Sequence, residues 1–139
     1  MSQTIMIGAN DPNTAYLLQR YAEESGFQPI PVFQSKDILD AADRMQPVLI
    51  ILDIALVAPT AWEVVRRLRI DPAMRKIPVV IYSCLEEPPE EWREGVDGFL
   101  LKSAMYDDFV AVLERAGSMQ HTNKAAAKRT LGSSGFGRD

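Results

Sequence analysis

The chain has 139 residues, 47% of them hydrophobic, 24% charged and 8% aromatic. That bounds it to one globular domain with enough apolar material for a core, and excludes a disordered chain or a scaffold that depends on disulfides or metal. The net charge is −4; the residues from Gly117 onward carry Lys124, Lys128, Arg129 and Arg138 against Asp139, so that segment is at +3 and the remainder at −7. An acidic body argues against nucleic-acid binding by the domain itself. The lone cysteine, Cys84, excludes an internal disulfide, and with no signal-like start it points to a reducing cytoplasm. No apolar run approaches a membrane span.

Five apolar runs alternate with helix-like stretches. Ile5-Met6-Ile7 is the first run. Asp11 then reads as an N-cap with Pro12 at the first helical position, Thr14, Leu17, Leu18, Tyr21 and Ala22 form one face, and Gly26 is the stop. The second run, Ile30-Pro31-Val32-Phe33, is followed by a helix opening at Ser35 that buries Ile38, Leu39, Ala42 and Met45. Val48 to Leu52 is the third run. Thr60-Ala61-Trp62-Glu63 fits a capping box for a third helix, with Val64, Val65 and Leu68 inward and Asp71-Pro72 as its end. Val79 to Tyr82 is the fourth run. Pro88-Pro89 and Gly95 bracket a fourth helix of about two turns, solvent-facing and rich in Glu86, Glu87, Glu90, Glu91 and Glu94. Phe99-Leu100-Leu101 is the fifth run, and a last helix spans about Tyr106 to Ala116, with Phe109, Val110 and Leu113 on one stripe.

Continuous apolar runs mark strands covered on both faces, and the alternation with helices makes an α/β, doubly wound, five-stranded parallel sheet with five helices. Pro29 and Pro31 place the second strand at an edge, which selects the flavodoxin-like order 2-1-3-4-5. Residues 1–118 read as the domain, and 119–139, basic and without sustained periodicity, as a flexible tail or linker.

In such sheets ligands sit beyond the carboxyl ends of the strands. Four strand ends carry polar groups: Asn10-Asp11 after strand 1, Asp53 after strand 3, Ser83-Cys84 after strand 4 and Lys102-Ser103 after strand 5. A carboxylate, a hydroxyl and an ammonium form a coherent anion-handling set. Cys84 reads as a small buried hydrophobe, and His121 lies in the tail with no ligand-forming neighbour.

LIILDIAL, VVIYSC and GFLLKS resemble the blocks of CheY-like receiver domains of two-component response regulators, over roughly residues 4 to 117. The resemblance implies Asp53 as phosphoacceptor, Ser83 as the hydroxyl that follows the phosphoryl group, Lys102 as its ion-pair partner and Phe99 as an aromatic rotamer switch. It also implies a magnesium ion held by acids at the end of strand 1. There the chain departs: the matching pair is Ala9-Asn10, with Asp11 set to cap the helix, or, after a one-residue slip, Asn10-Asp11. The candidate metal ligands are thus Asn10, Asp11 and Asp53. Magnesium requires hard, charged oxygens, and a direct Asp53–Lys102 ion pair is the simplest resting state. Leu56 to Ala61 replaces the family's Met-Pro and Asp-Gly, and Ser103 replaces a proline with a cis bond, so a trans bond is expected there.

The reading is therefore an atypical receiver module, not an enzyme, that signals by protein contact with magnesium-dependent phosphorylation impaired or absent. No cofactor is expected beyond weak magnesium binding. The alternative is a working receiver taking phosphate on Asp53 from a histidine kinase or phosphotransfer protein. Partners to look for are a kinase, another regulator or a second copy of the chain. The faces to search are the Glu-rich stretch, Trp92 as an exposed anchor, and the strand-5/last-helix surface. A small flavodoxin-like enzyme is a third class, but the chain lacks a Gly-rich phosphate loop: only Gly8 precedes Asn10-Asp11-Pro12.

Overall fold

A computed structural model describes residues 3–85 and 89–124, without the side chains of Trp92 and of residues 117–124. The strands are β1 (Thr4–Gly8), β2 (Gln28–Val32), β3 (Leu49–Asp53), β4 (Val79–Ser83) and β5 (Gly98–Leu101). The helices are α1 (Pro12–Glu24), α2 (Ile38–Met45), α3 (Ala61–Ile70) and α4 (Tyr106–Lys124), with 3-10 turns at Ser35–Asp37 and Glu90–Arg93. All strands are parallel in the order β2-β1-β3-β4-β5, as expected.

The prolines explain the edge. Gln28 N donates to Gln3 O at 2.9 Å, so alternate residues of β2 face β1 and the nitrogens of Pro29 and Pro31 point away from the ladder. β3 and β4 are buried throughout, because each face of the sheet carries its own core. One face packs Met6, Ile50, Leu52 and Ile81 under α2 and α3; the other packs Ile5, Ile7, Ile51 and Phe109 with α1 and α4.

The caps form as the sequence indicates. Asp11 accepts from Asn13 N at 3.0 Å, and Thr60 and Glu63 make a reciprocal capping box. Gly26 adopts φ 89, which a side chain would disfavour.

Four expectations are corrected. The fourth helix is only the four-residue turn Glu90–Arg93, so there are four α-helices among the described residues. Prolines on one side and Gly95 at φ 83 on the other leave no room for helix propagation; Glu86, Glu87 and Pro88 lie outside the described residues. The stretch from Ser35 is a 3-10 turn before α2, and Ser35 Oγ is buried without a partner. The inward stripe of α1 is Ala15, Leu18 and Ala22, with Leu17 turned out: two alanines let the helix approach the sheet closely. α4 runs past Ala116 to Lys124; residues 125–139 lie outside the described residues.

Candidate functional site

Parallel strands deliver all their carboxyl ends to one edge of the sheet, so Asn10, Asp53, Ser83 and Lys102 meet there without any special loop. Asp53 closes β3 and pairs in register with Tyr82. Its side chain is 6% exposed, and Lys102 Nζ lies 2.8 Å from its Oδ1. The same oxygen accepts from Ala55 N at 3.0 Å. Lys102 sits one residue past β5, held by its N–H donating to Ser83 O at 2.8 Å. Its ammonium also lies 5.8 Å from the centre of the Tyr82 ring, a cation–π distance.

Ser83 is buried, and its Oγ accepts from Leu85 N at 3.1 Å, a local turn bond that ends the strand. Cys84 follows as the first loop residue and is exposed, not buried as the sequence suggested, because the chain leaves the sheet at Ser83. Tyr82 OH donates to Lys102 O at 3.3 Å. Burial, then Tyr21 and Asp53, push the Tyr82 phenol above its ordinary 10.0.

The end of β1 is built differently from an acidic site. Ala9 is buried, and its N–H donates to Val32 O at 3.1 Å. Asn10 Nδ2 donates to Phe33 O at 2.8 Å, and Asn10 Oδ1 accepts from Val57 N at 3.1 Å. Asp11 turns to the α1 N-terminus, accepting from Asn13 N and, at 3.5 Å, from Thr14 Oγ1. Among the described residues no three His, Cys, Asp or Glu side chains gather as a metal cluster. The magnesium that the fold family implies does not fit this set: one carboxylate already carries an ammonium, the one amide oxygen is taken by a backbone N–H, and the other carboxylate caps a helix.

Phe99 is half-buried against the α2/α3 core, with the Arg93 guanidinium 5.9 Å from its ring centre. The side chain of Trp92 lies outside the described residues. The bond after Lys102 is trans, as expected; the cis bond among the described residues is Ala58–Pro59.

One anchor escaped the sequence reading. Arg69 donates to the carbonyls of Gly95 (2.7 Å), Arg75 (2.8 Å) and Ile77 (2.9 Å) and pairs with Asp97 at 3.1 Å, while Asp97 accepts from Val79 N at 2.7 Å. This fork fixes the β4–β5 crossover to α3 at the edge opposite the site. Arg66, Arg67 and Arg69 are alike in sequence; the loop conformations place Arg69 against these carbonyls. Beside it an open cavity of about 400 Å³ is lined by Trp62, Val65, Ile70 and Glu94 among others, where the short turn leaves α3 partly uncovered.

The fold and the strand-end trio define a receiver-type domain of the CheY-like class. The comparisons agree. The chain is 26% identical over 117 residues to the polar-differentiation response regulator DivK of Brucella ovis, covering 82% of this chain and 95% of that one. Among solved structures it is similar to the receiver domain of a signal transduction histidine kinase from Syntrophus aciditrophicus (25% identity, TM-score 0.73, 94% of this chain and 98% of that one). It is also similar to the chemotaxis response regulator CheY4 of Vibrio cholerae (15% identity, TM-score 0.74, 84% and 99%). No protein-family model matches the chain. It is a response-regulator receiver domain of two-component signalling, and no helix among its described residues is long and apolar enough to cross a membrane.

Proposed function

We propose that this domain is a cytoplasmic contact module in which Asp53 serves as half of an ion pair and magnesium-dependent phosphorylation is impaired or absent. The observation that carries this is the commitment of the three candidate metal ligands: Asp53 to Lys102 and Ala55, Asn10 to Phe33 and Val57, Asp11 to its helix. Phosphoryl transfer builds negative charge that a cation normally offsets. Here the Lys102 ammonium is already paired with the acceptor. The surroundings suit protein contact instead. Phe33, Val57, Leu85 and Met105, on the loops after β2, β3, β4 and β5, are all exposed, Val57 to 64% and Met105 to 69%. All four loops leave the sheet at its carboxyl-end edge, the edge that carries Asp53 and Lys102. Partners of this class include a histidine kinase, another regulator or a second copy of the chain.

The second reading keeps Asp53 as a phosphoacceptor with Ser83 and Lys102 as helpers. The convergence of the three on one edge favours it, as does similarity to proteins called response regulators. Intact mass after incubation with a small-molecule phosphodonor, across a magnesium titration and beside Asp53→Ala, separates the two. No added phosphoryl group is expected; a gain that requires both magnesium and Asp53 establishes the second reading and overturns the first.

A further inference from the structure

We infer that Asn10 is a positioning residue, an amide clamp that locks the end of β2 and the β3–α3 loop into one surface whether or not Asp53 is ever modified. Asn10 stands at the end of β1, between β2 and β3 in the sheet. Its Nδ2 holds the Phe33 carbonyl on one side at 2.8 Å; its Oδ1 holds the Val57 N–H on the other at 3.1 Å. A side-chain amide alone among the short polar groups offers a donor and an acceptor fixed in one plane. The two backbone partners also fix which way the amide points, since the reversed orientation would face acceptor to acceptor and donor to donor.

The loop needs this hold. Ile54 N and Leu56 N bond to backbone carbonyls and Ala55 N to Asp53, all at the strand end. Further out, Val57 is exposed, and Ala58 adopts φ 50, the left-handed region that alanine disfavours. The Asn10 bond falls on the residue just before that strained position. The clamp therefore sets the spacing between the Phe33 and Val57 backbones, two residues whose apolar side chains are exposed.

An aspartate of the same shape cannot replace it. Its second oxygen would meet the Phe33 carbonyl acceptor to acceptor, so the tie to β2 would be lost while Val57 stayed bound. This distinguishes the clamp from a general need for a polar residue, and it holds for either fate of Asp53.

The test is amide exchange and carbonyl resonances by NMR on the full chain, comparing wild type, Asn10→Ala and Asn10→Asp. Asn10→Ala is expected to speed exchange at Val57 by roughly three- to tenfold, the worth of one net hydrogen bond, while Ala55, held by Asp53, keeps its rate. Asn10→Asp is expected to keep Val57 within about twofold of wild type, its acceptor being retained, but to shift the Phe33 carbonyl resonance. An unchanged Val57 rate in Asn10→Ala overturns the clamp, as does an unmoved Phe33 carbonyl in Asn10→Asp; the second test stands even if the alanine variant fails to fold. Magnesium-dependent phosphorylation of the wild type would remove the proposed function and leave this inference intact.

Discussion

Breaking the Asp53–Lys102 pair from its two ends should give unequal losses. At 2.8 Å and an effective dielectric of about 20, the attraction is about 6 kcal/mol, most of it offset by the cost of taking both charges out of water. The two sides differ in access: the Asp53 side chain is 6% exposed and that of Lys102 33%. Lys102→Met leaves a buried carboxylate held by the backbone donor Ala55 N. Orphaning one member of a buried pair costs about 3–5 kcal/mol, which the partial exposure of this lysine reduces to about 2–3. Asp53→Asn retains an acceptor for Ala55 and leaves an ammonium that reaches water, a loss of about 1 kcal/mol. For a domain of this size the lysine variant should melt roughly 6–15 °C lower and the asparagine variant about 3–5 °C lower. The double variant should be more stable than Lys102→Met alone, with a coupling of about 1–2 kcal/mol. Urea and thermal melts on all four proteins measure this. Equal losses from the two single changes, or a coupling below about 0.5 kcal/mol, would refute the ion pair as the resting state of the site.

Arg69→Met should cost about 2–4 kcal/mol in urea unfolding by freeing three carbonyls and Asp97, and Arg69→Lys should recover less than half of it, since an ammonium lacks the planar fork. Tyr82 gives an alkaline prediction. Its phenol is raised in the folded state above the ordinary 10.0, so the folded form holds the proton longer, and stability is full below pH 10 and falls as pH rises through the folded value. Stability curves of wild type and Tyr82→Phe should run parallel up to about pH 10 and diverge above it, with the phenylalanine variant losing less; parallel curves to pH 11.5 would count against it.

Much of the fold was legible because it rests on local chemistry. Pro29 and Pro31 mark an edge whatever else the chain does, Asp11-Pro12 and Thr60 to Glu63 write their own helix starts, and unbroken apolar runs announce a sheet covered on both faces. The strand-end trio followed from topology alone. What was not legible depends on where the backbone turns. The two-turn helix before Gly95 failed because flanking prolines and a positive-φ glycine outweigh a helix-compatible composition. Cys84 was placed one residue too deep, since burial ends where the ladder ends. Arg69 has nothing in its sequence neighbourhood to separate it from Arg66 and Arg67; its role exists only once Gly95, Arg75 and Ile77 present carbonyls to it. Asn10 was read as a weak ligand because its sequence neighbours suggest that, whereas its partners lie 23 and 47 residues away.

The charge balance at the strand ends bears on what can dock there. A strand-end site with several free carboxylates offers a partner an anion that must be paired or stripped of water. Here Asp53 and Lys102 cancel, Asn10 is neutral and bonded on both sides, and the charge of Asp11 lies on the N-terminus of α1, where the helix dipole interacts favourably with it. A partner crossing from Phe33 to Met105 would bury apolar side chains over a floor whose Asp53 and Lys102 charges are already paired. Its desolvation cost is then small, and the gain from apolar contact is kept. Such an interface should depend weakly on salt to the extent that it rests on these apolar side chains and not on the flanking acids. On the proposed reading, the neutral Asn10 and the paired Asp53 would thus serve contact with a partner at this edge.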